Sequence, residues 1–349
     1  MIDLRKENQP ETDEKVLLEV KDLRVSFFTH AGEVKAVDGI SYTLHPNEVM
    51  GIVGESGSGK SVEAYSIMGL LQSPGKVVGG SVTFDGKDLL AFTPEQMADF
   101  RGNRAAMIFQ NPMTCMNPVY TVGNQLMEAL LSHRKDITKA EARRRAVEML
   151  EQVGINNAEK RADQYPHEFS GGMRQRAMIA MALICDPDLL IADEPTTALD
   201  VTIQEQILEL MKTLKGRNNM SIIFITHNLG VVAEICDRVS VMYAGHIVEQ
   251  GSVNDIFYHP QHPYTKGLLA SMPRMDMVTH ERLIPIEGTP VDLLDPPKGC
   301  SFGPRCKNCM KVCLDNPPPV MTVGEDGHTC ACWLQVQQML KQKEAEQHG

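Results

Sequence analysis

One eight-residue segment has the residue types and spacing of a phosphate-binding loop. It runs from position 54 to 61, reads GESGSGKS and fits the pattern G-x-x-x-x-G-K-[ST]. It follows the apolar run VMGIV and precedes a helical stretch, which is the context that the pattern requires. Glycines let backbone N–H groups close around phosphates, and a helix N-terminus adds positive potential. The segment predicts a nucleoside triphosphate site, with Lys60 on the β- and γ-phosphates and Ser61 on Mg²⁺; its residues are Gly54, Glu55, Ser56, Gly57, Ser58, Gly59, Lys60 and Ser61.

A pair of carboxylates follows a second apolar run, LLIA at 189–192. This run predicts a strand, so Asp193 and Glu194 would lie at its carboxyl end, where ligands of open α/β sheets bind. Asp193 would support Mg²⁺, and Glu194 would orient or deprotonate the attacking water, because phosphate hydrolysis depends on positioning more than on covalent chemistry. An acidic pair after a strand is usually a solvated turn. Together with the loop at 54–61, it indicates a hydrolytic site.

A third segment combines a helix cap with glycines. Ser170, Gly171 and Gly172 stand just before a helical stretch that begins MRQR. Serine is a good N-cap, and two glycines let an anion approach the backbone. Standing alone, the segment would be best explained as an ordinary cap after a flexible turn.

Cysteines are concentrated near the C-terminus. Six of the nine lie between Cys300 and Cys332. Cytosolic disulfides are rare, so the cluster predicts a metal site, holding Zn²⁺ or an iron–sulfur cluster, before a disulfide framework. Spacing alone favours Cys306, Cys309 and Cys313 plus one further ligand.

Short β-type runs and helical stretches would position these groups. From Val16 the runs LLEV, RVSFF, ISYTL, EVMGIVG and SVTF predict a mostly antiparallel β-region beside the nucleotide site. Residues 123–155 carry apolar side chains at helical spacing and predict a helical insertion. Strand-like runs at 189–192, 221–226 and 239–243 then alternate with helical stretches at 172–182 and 202–214, which indicates a parallel sheet. After Gly251 the chain is rich in proline, with 11 of the 20 between Pro260 and Pro319, so we expect a loop-built appendage that does not continue the sheet.

These changes divide the chain into segments. We expect a flexible leader at 1–15, an α/β nucleotide-binding domain at 16–255 with a helical subdomain at about 111–170, a cysteine-containing region at 256–335 and a polar tail at 336–349.

Composition excludes several classes of protein. The net charge of −11 disfavours nucleic acid as the main partner, because such proteins normally carry a basic footprint. The start of the chain is polar and lacks the apolar core of a secretion signal. The longest apolar run, AMIAMALIC, has nine residues, whereas a membrane span needs about 20. We therefore expect a cytosolic protein unless a partner holds it at a membrane.

Together these motifs resemble those of the ATP-binding cassette (ABC) ATPases, and over nearly the whole chain those of bacterial oligopeptide and dipeptide importers. FSGGM at 169–173 is similar to the family's signature segment, although Met173 replaces the usual glutamine. The resemblance implies a P-loop NTPase fold in which Gln110 touches Mg²⁺ and His227 is a switch histidine. It also implies that Asp200 lies in the loop that communicates across a dimer, and that Phe27 stacks on adenine, with Phe28 as a rival.

In this family the signature segment of one subunit completes the ATP site of another. The resemblance therefore implies a head-to-tail dimer, here a heterodimer with a second, related ATPase. It further implies two membrane permeases as partners, an extracytoplasmic peptide-binding protein as an indirect partner, and a location at the cytoplasmic face of the membrane.

The C-terminal region resembles the peptide-importer branch through HPQHPYT at 259–265 and through its cysteines. The family pattern selects four ligands for a [4Fe–4S] cluster of structural role: Cys300, Cys306, Cys313 and Cys332. Cys309 and Cys330 would then be spare thiols. Three alternatives remain: a nickel-importer ATPase, a soluble cassette ATPase of DNA repair or translation, and a redox or iron sensor.

Overall fold

The computed structural model describes residues 15–110, 115–196, 201–218, 220–272, 285–324 and 327–348. The predicted leader therefore lies outside the described residues except for Lys15. In chain order the strands are β1 Leu18–Thr29, β2 Gly32–Leu44, β3 Val49–Val53, β4 Gly75–Phe84, β5 Lys87–Asp88, β6 Ala105–Ile108, β7 Leu189–Asp193, β8 Ser221–Thr226, β9 Arg238–Tyr243, β10 His246–Ser252, β11 Val320–Thr322 and β12 Thr329–Ala331.

The α-helices of the described residues are numbered in the same way. They are α1 Lys60–Ile67, α2 Pro94–Asn103, α3 Val122–His133, α4 Lys139–Gln152, α5 Ala158–Arg161, α6 Gly171–Leu183, α7 Val201–Asn218, α8 Leu229–Ile235, α9 Val253–Tyr258, α10 Pro263–Ala270, α11 Lys311–Asp315 and α12 Trp333–His348. In the parts of the chain that the structure describes, none of them combines the length and apolar character needed to cross a bilayer.

Two sheets form the framework. The smaller has the order β2-β1-β4-β5 and is antiparallel throughout, as the sequence predicted. The run EVMGIVG, which was expected in this antiparallel region, instead forms β3 of the larger sheet, where all five of its strand residues are buried between parallel neighbours. The larger has the order β11-β12-β10-β9-β3-β8-β7-β6. Its five strands from β9 to β6 are parallel, which confirms the predicted parallel sheet.

The central strands separate two apolar cores. Every residue of β7 and β8 is buried, as expected for parallel strands covered on both faces. Alternate residues of a strand face opposite sides of the sheet. Leu190 belongs to the core between the larger sheet and the helical insertion, called here the core beneath the sheet. Leu189 and Ile191 belong to the core shared with the antiparallel sheet and α1. This double coverage fixes the carboxyl ends of the strands, where the chemistry lies.

The predicted helical insertion is present as α3, α4 and α5. Thr121 and Thr138 cap the first two helices by accepting hydrogen bonds from Asn124 N–H and Glu141 N–H. The apolar residues at helical spacing are buried in the core beneath the sheet; they include Leu126, Leu130, Ala146, Met149 and Leu150.

The expectation that the cysteine-containing region leaves the sheet was wrong. β12 pairs antiparallel with β10, Cys330 opposite Glu249, and β11 pairs with β12, so two strands of this region extend the larger sheet. Each has only three residues, too few to show an alternating pattern in the sequence. Pairing satisfies the backbone groups of β10, which would otherwise form an open edge. The described part of the expected polar tail, residues 336–348, belongs to helix α12.

Candidate active site

The predicted phosphate-binding loop joins β3 to α1 and is built closely against the backbone of neighbouring strands. A Cβ atom on Gly54 would lie 2.2 Å from Met242 O, and one on Gly59 would lie 2.4 Å from Ala36 O. Gly59 also has φ +103°, which side-chain-bearing residues rarely adopt. The glycines at these two positions therefore follow from steric contact as well as from phosphate binding.

The Lys60 side chain lies inside the loop. Its Nζ donates hydrogen bonds to Gly54 O and Glu55 O, both at 2.8 Å, and the residue is buried. Burial lowers the pKa of Lys60, while the nearby carboxylates of Glu194 and Asp193 oppose this shift. A compact cation thus lies where the predicted phosphates would bind.

Ser61 and Asp193 meet next to this lysine. The Ser61 hydroxyl donates to Asp193 Oδ1 at 2.9 Å, and Asp193 is buried. Burial raises the pKa of Asp193, with a further contribution from the Glu194 charge, and the hydrogen bond from Ser61 opposes the shift. A hydroxyl and a carboxylate at this spacing are oxygen donors that fit Mg²⁺.

Glu194 lies between Gln110 and His227. Gln110 Nε2 donates to Glu194 Oε2 at 2.7 Å, and His227 Nδ1 lies 3.2 Å from Glu194 Oε1. The Glu194 side chain is 16% exposed and that of His227 is 61% exposed, so the carboxylate is shielded while the imidazole faces solvent. Glu194 has φ +47°, a strained conformation for a glutamate. Its backbone N–H is held by Ile225 O at 2.9 Å.

The strand order explains this convergence. The phosphate-binding loop follows β3, and His227 follows β8. Asp193 ends β7, Glu194 comes directly after it, and Gln110 follows β6. Strands β3, β8, β7 and β6 are consecutive and parallel, so their carboxyl ends share one edge of the sheet. The structure therefore brings these predicted residues together in one cleft at the carboxyl edge of the sheet, which is where α/β sheets bind ligands.

The predicted signature residues make their contacts elsewhere. The Ser170 hydroxyl accepts a hydrogen bond from Met173 N–H at 3.3 Å and caps α6, as its residue type predicted. Ser170 and Gly171 are exposed, and a Cβ on Gly172 would lie nearest to Ile203. Asp200 lies outside the described residues.

The two aromatic candidates for adenine stacking differ in environment. Phe27 is half-buried, and its ring packs against the backbone of Gly75. Phe28 is 48% exposed, with Lys76 Nζ 6.0 Å from its ring centroid. Both rings remain candidates, and Phe27 stays the prediction.

Sequence reasoning missed two residues that contact the phosphate-binding loop. Tyr264 and Arg305 both bind Glu55, from positions more than 200 residues further along the chain. No spacing pattern links residues so far apart, although Tyr264 belongs to the HPQHPYT segment that the sequence singled out.

The six C-terminal cysteines are all free thiols. Burial raises the pKa of Cys300 to about 11, and the thiols of Cys313 and Cys332 contribute. Burial also raises the pKa of Cys306, with contributions from Cys332, Cys309 and Cys313. Cys300, Cys306, Cys313 and Cys332 therefore lie near one another, and Cys309 belongs to the same group of thiols. Within the described ranges, no group of three or more His, Cys, Asp or Glu is arranged to hold a metal ion.

The two expected spare thiols differ from each other. Cys309 is exposed, whereas Cys330 is buried and hydrogen-bonded to Cys332. This hydrogen bond lowers the pKa of Cys332.

Comparisons with known proteins show the family of the chain. Residues 37–197 match the family model described as ABC transporter, and residues 248–313 match the oligopeptide/dipeptide transporter C-terminal region. The chain is 57% identical over 325 residues to the dipeptide transport ATP-binding protein DppD of Bacillus subtilis (strain 168), covering 93% of this chain and 96% of that protein. It is 53% identical to the oligopeptide transport ATP-binding protein OppD of Salmonella typhimurium, with the same coverage.

A solved structure supports the fold. The dimeric structure of MJ0796, described as a bacterial ABC transporter cassette, aligns with a TM-score of 0.62 at 25% identity and covers 68% of this chain and 99% of its own. The resemblance to the cassette ATPases is thereby confirmed. The chain belongs to the ABC transporter ATPases, in the branch that carries the oligopeptide/dipeptide transporter C-terminal region.

Proposed function

We propose that the chain is the ATP-hydrolysing subunit of a membrane importer of dipeptides or oligopeptides. The observation that carries this proposal is the 57% identity to the dipeptide transport ATP-binding protein DppD over 93% of the chain. The match of residues 248–313 to the oligopeptide/dipeptide transporter C-terminal region favours a peptide cargo over nickel.

The cleft residues divide the hydrolytic work among them. Lys60 binds the β- and γ-phosphates, as its position inside the loop supports. Ser61, Asp193 and Gln110 are the residues that would hold Mg²⁺, which when bound neutralises charge on the phosphates. Glu194 accepts a proton from the attacking water, and its two neighbours, Gln110 and His227, orient its carboxylate.

A second ATPase subunit completes each site. Ser170 and Gly171 are exposed at the N-terminus of α6, where backbone N–H groups favour an anion such as the γ-phosphate of ATP bound by another subunit. The partner is a related ATPase in a head-to-tail heterodimer, with Asp200 communicating across the interface. ATP closes this pair, and hydrolysis opens it.

Two permeases receive the movement at the cytoplasmic face of the membrane, and an extracytoplasmic binding protein delivers the peptide. The surface around Gln110 and the helical insertion contacts the permeases. Exposed Val119 and Tyr120 lie just before α3 on this surface and supply apolar area for such a contact.

We further propose that Cys300, Cys306, Cys313 and Cys332 bind a [4Fe–4S] cluster. The support is chemical: these four free thiols lie near one another in one region, which also contains Cys309, and iron–sulfur clusters are held by cysteine thiolates. Bound there, the cluster would crosslink the segment 300–313, which ends in α11, to the residue that follows β12. Protein purified without oxygen should contain about four iron and four sulfide per chain. Zinc alone would mean a structural zinc site, and no metal would refute the assignment.

Complementation tests the cargo. A Bacillus subtilis strain lacking DppD would be supplied with this chain, and uptake of a labelled dipeptide, a labelled oligopeptide and Ni²⁺ would be measured. Restored dipeptide uptake supports the proposal, provided that the Glu194→Gln variant fails to restore it. Restored Ni²⁺ uptake alone would favour the nickel-importer alternative. Co-purification with the host permeases distinguishes failed transport from failed assembly.

A further inference from the structure

Two residues of the C-terminal region, Tyr264 and Arg305, hydrogen-bond to one residue of the phosphate-binding loop, Glu55. The Glu55 backbone N–H donates a hydrogen bond to the Tyr264 hydroxyl at 2.9 Å. The Glu55 carboxylate accepts two hydrogen bonds from the Arg305 guanidinium, at 2.6 Å from Nη1 and 3.1 Å from Nη2. Both the backbone and the side chain of one loop residue are thereby fixed from outside the nucleotide-binding core.

Buried contacts hold the Arg305 side chain in the orientation that its paired hydrogen bonds to Glu55 require. Its side chain is only 5% exposed. Its Nε donates to Glu287 O at 3.0 Å, Nη2 donates to Ile286 O at 3.3 Å, and the guanidinium lies 5.7 Å from the Tyr243 ring centroid. A planar guanidinium that is already oriented loses little freedom when it binds a carboxylate with two parallel bonds.

Tyr264 is equally constrained. It is fully buried, with ring centroids 4.7 Å from Tyr243 and 5.3 Å from Phe302. Its hydroxyl therefore meets the Glu55 N–H from a fixed position. The aromatic cluster of Tyr243, Tyr264 and Phe302 belongs to one apolar core that joins β9 to the C-terminal region.

The contacts to Glu55 affect the phosphate-binding lysine, because Lys60 is hydrogen-bonded to loop carbonyl groups. Lys60 Nζ donates hydrogen bonds to Glu55 O and Gly54 O. The position of Glu55 therefore contributes directly to where the lysine ammonium lies. A loop that is held in its binding shape loses less conformational freedom on binding than a mobile one. Holding Glu55 at two points therefore prepares the site for ATP.

We propose that Arg305 and Tyr264 are positioning residues for the phosphate-binding loop, so that ATP affinity depends on the docked C-terminal region. The inference needs only ATP binding and stands apart from the cargo. Because such coupling is reciprocal, bound ATP also stabilises the docked state of the segment around Arg305.

Calorimetric titration of the full-length protein, purified without oxygen, with ATP in the presence of EDTA tests the proposal. Arg305→Ala should weaken ATP binding by about 5- to 150-fold, the usual range for coupled sites. Lys307→Ala is the matched control: it removes an exposed ion pair with Glu287 in the same segment, 3.2 Å long, and should leave affinity within about twofold. If Arg305→Ala also binds ATP within about twofold of the parent protein, the proposal is overturned.

A double-variant cycle separates positioning from a general loss of stability. Glu55→Gln and Arg305→Gln act on the same contact, so the double variant should bind ATP about as well as the weaker single variant. Additive losses would refute the coupling. If Arg305→Ala does not fold, Arg305→Lys and Tyr264→Phe decide the question, because the first keeps the charge but loses the paired bonds, and the second loses only the hydroxyl.

Hydrogen exchange provides a second readout. ATP should slow amide exchange in residues 300–306 of the parent protein, and this protection should disappear in Arg305→Gln. Exchange in this segment that does not respond to ATP in the parent protein would contradict the reciprocal coupling.

Discussion

Glu194→Gln tests the proposed hydrolytic role most directly, because the substitution changes basicity while preserving shape. In the structure, Glu194 accepts from Gln110 Nε2 at 2.7 Å and lies 3.2 Å from His227 Nδ1. A glutamine can still accept from Gln110 with its oxygen and donate to His227 with its amide nitrogen. The cleft should therefore keep its geometry and lose only the group that takes the proton.

The expected loss of turnover is that of a general base alone, because the geometry of the cleft is kept. Loss of a positioned general base lowers the rate by about 10²- to 10⁴-fold. At roughly 1.36 kcal/mol per factor of ten, this corresponds to about 2.7–5.4 kcal/mol in the activation barrier. ATP affinity should change by less than about threefold, since the contacts of Lys60 and Ser61 are untouched. The variant should consequently accumulate as an ATP-bound, closed dimer.

Phosphate release from the assembled transporter measures the rate, and calorimetry measures ATP affinity. Glu205→Gln, which changes an exposed carboxylate on α7, is the matched control and should retain normal turnover. Turnover within about fivefold of the parent protein would refute the role of Glu194 as base. Equal losses in affinity and turnover would instead indicate that Glu194 acts by shaping the site.

Further predictions concern the loop and the C-terminal region. Lys60→Ala should weaken ATP binding at least about tenfold, because it removes the buried cation, and unchanged affinity in a filter assay would contradict its phosphate contact. Gly59→Ala should destabilise the protein by about 1–3 kcal/mol more than Gly57→Ala in urea unfolding, since both have positive φ but only Gly59 faces a backbone oxygen at 2.4 Å. Burial lowers the pKa of His262 to about 4, below its unfolded value near 6.5, so the unfolded chain binds the extra proton first and stability should fall by about 3 kcal/mol as pH drops from 6.5 to 4. His262→Asn, which can still cap α10, should lose most of that pH dependence, and an unchanged pH profile would show that another group titrates.

Local patterns predicted the parts of the fold that depend on near neighbours in the chain. The run SIIFIT gave a strand at the predicted residues, and Ser170 caps a helix because its hydroxyl reaches an N–H three residues away. Strand β6 was missed because its four residues, AAMI, show neither alternation nor turn signals. The short strands β11 and β12 were missed for the same reason. β12 pairs with β10, where Cys330 lies opposite Glu249, 81 positions earlier in the chain, and β11 pairs with β12.

The phosphate-binding loop, the carboxylates at the end of β7 and the class of chemistry can be predicted from local sequence, because each of these depends on residues within a few positions of one another. The folded chain is needed to show that Gln110 and His227 flank the same carboxylate, since that follows from the order β3-β8-β7-β6. It is also needed to show that Arg305 binds Glu55 across 250 positions. Contacts of that separation are set by how the C-terminal region packs on β9 and β10, and no periodicity along the chain records them.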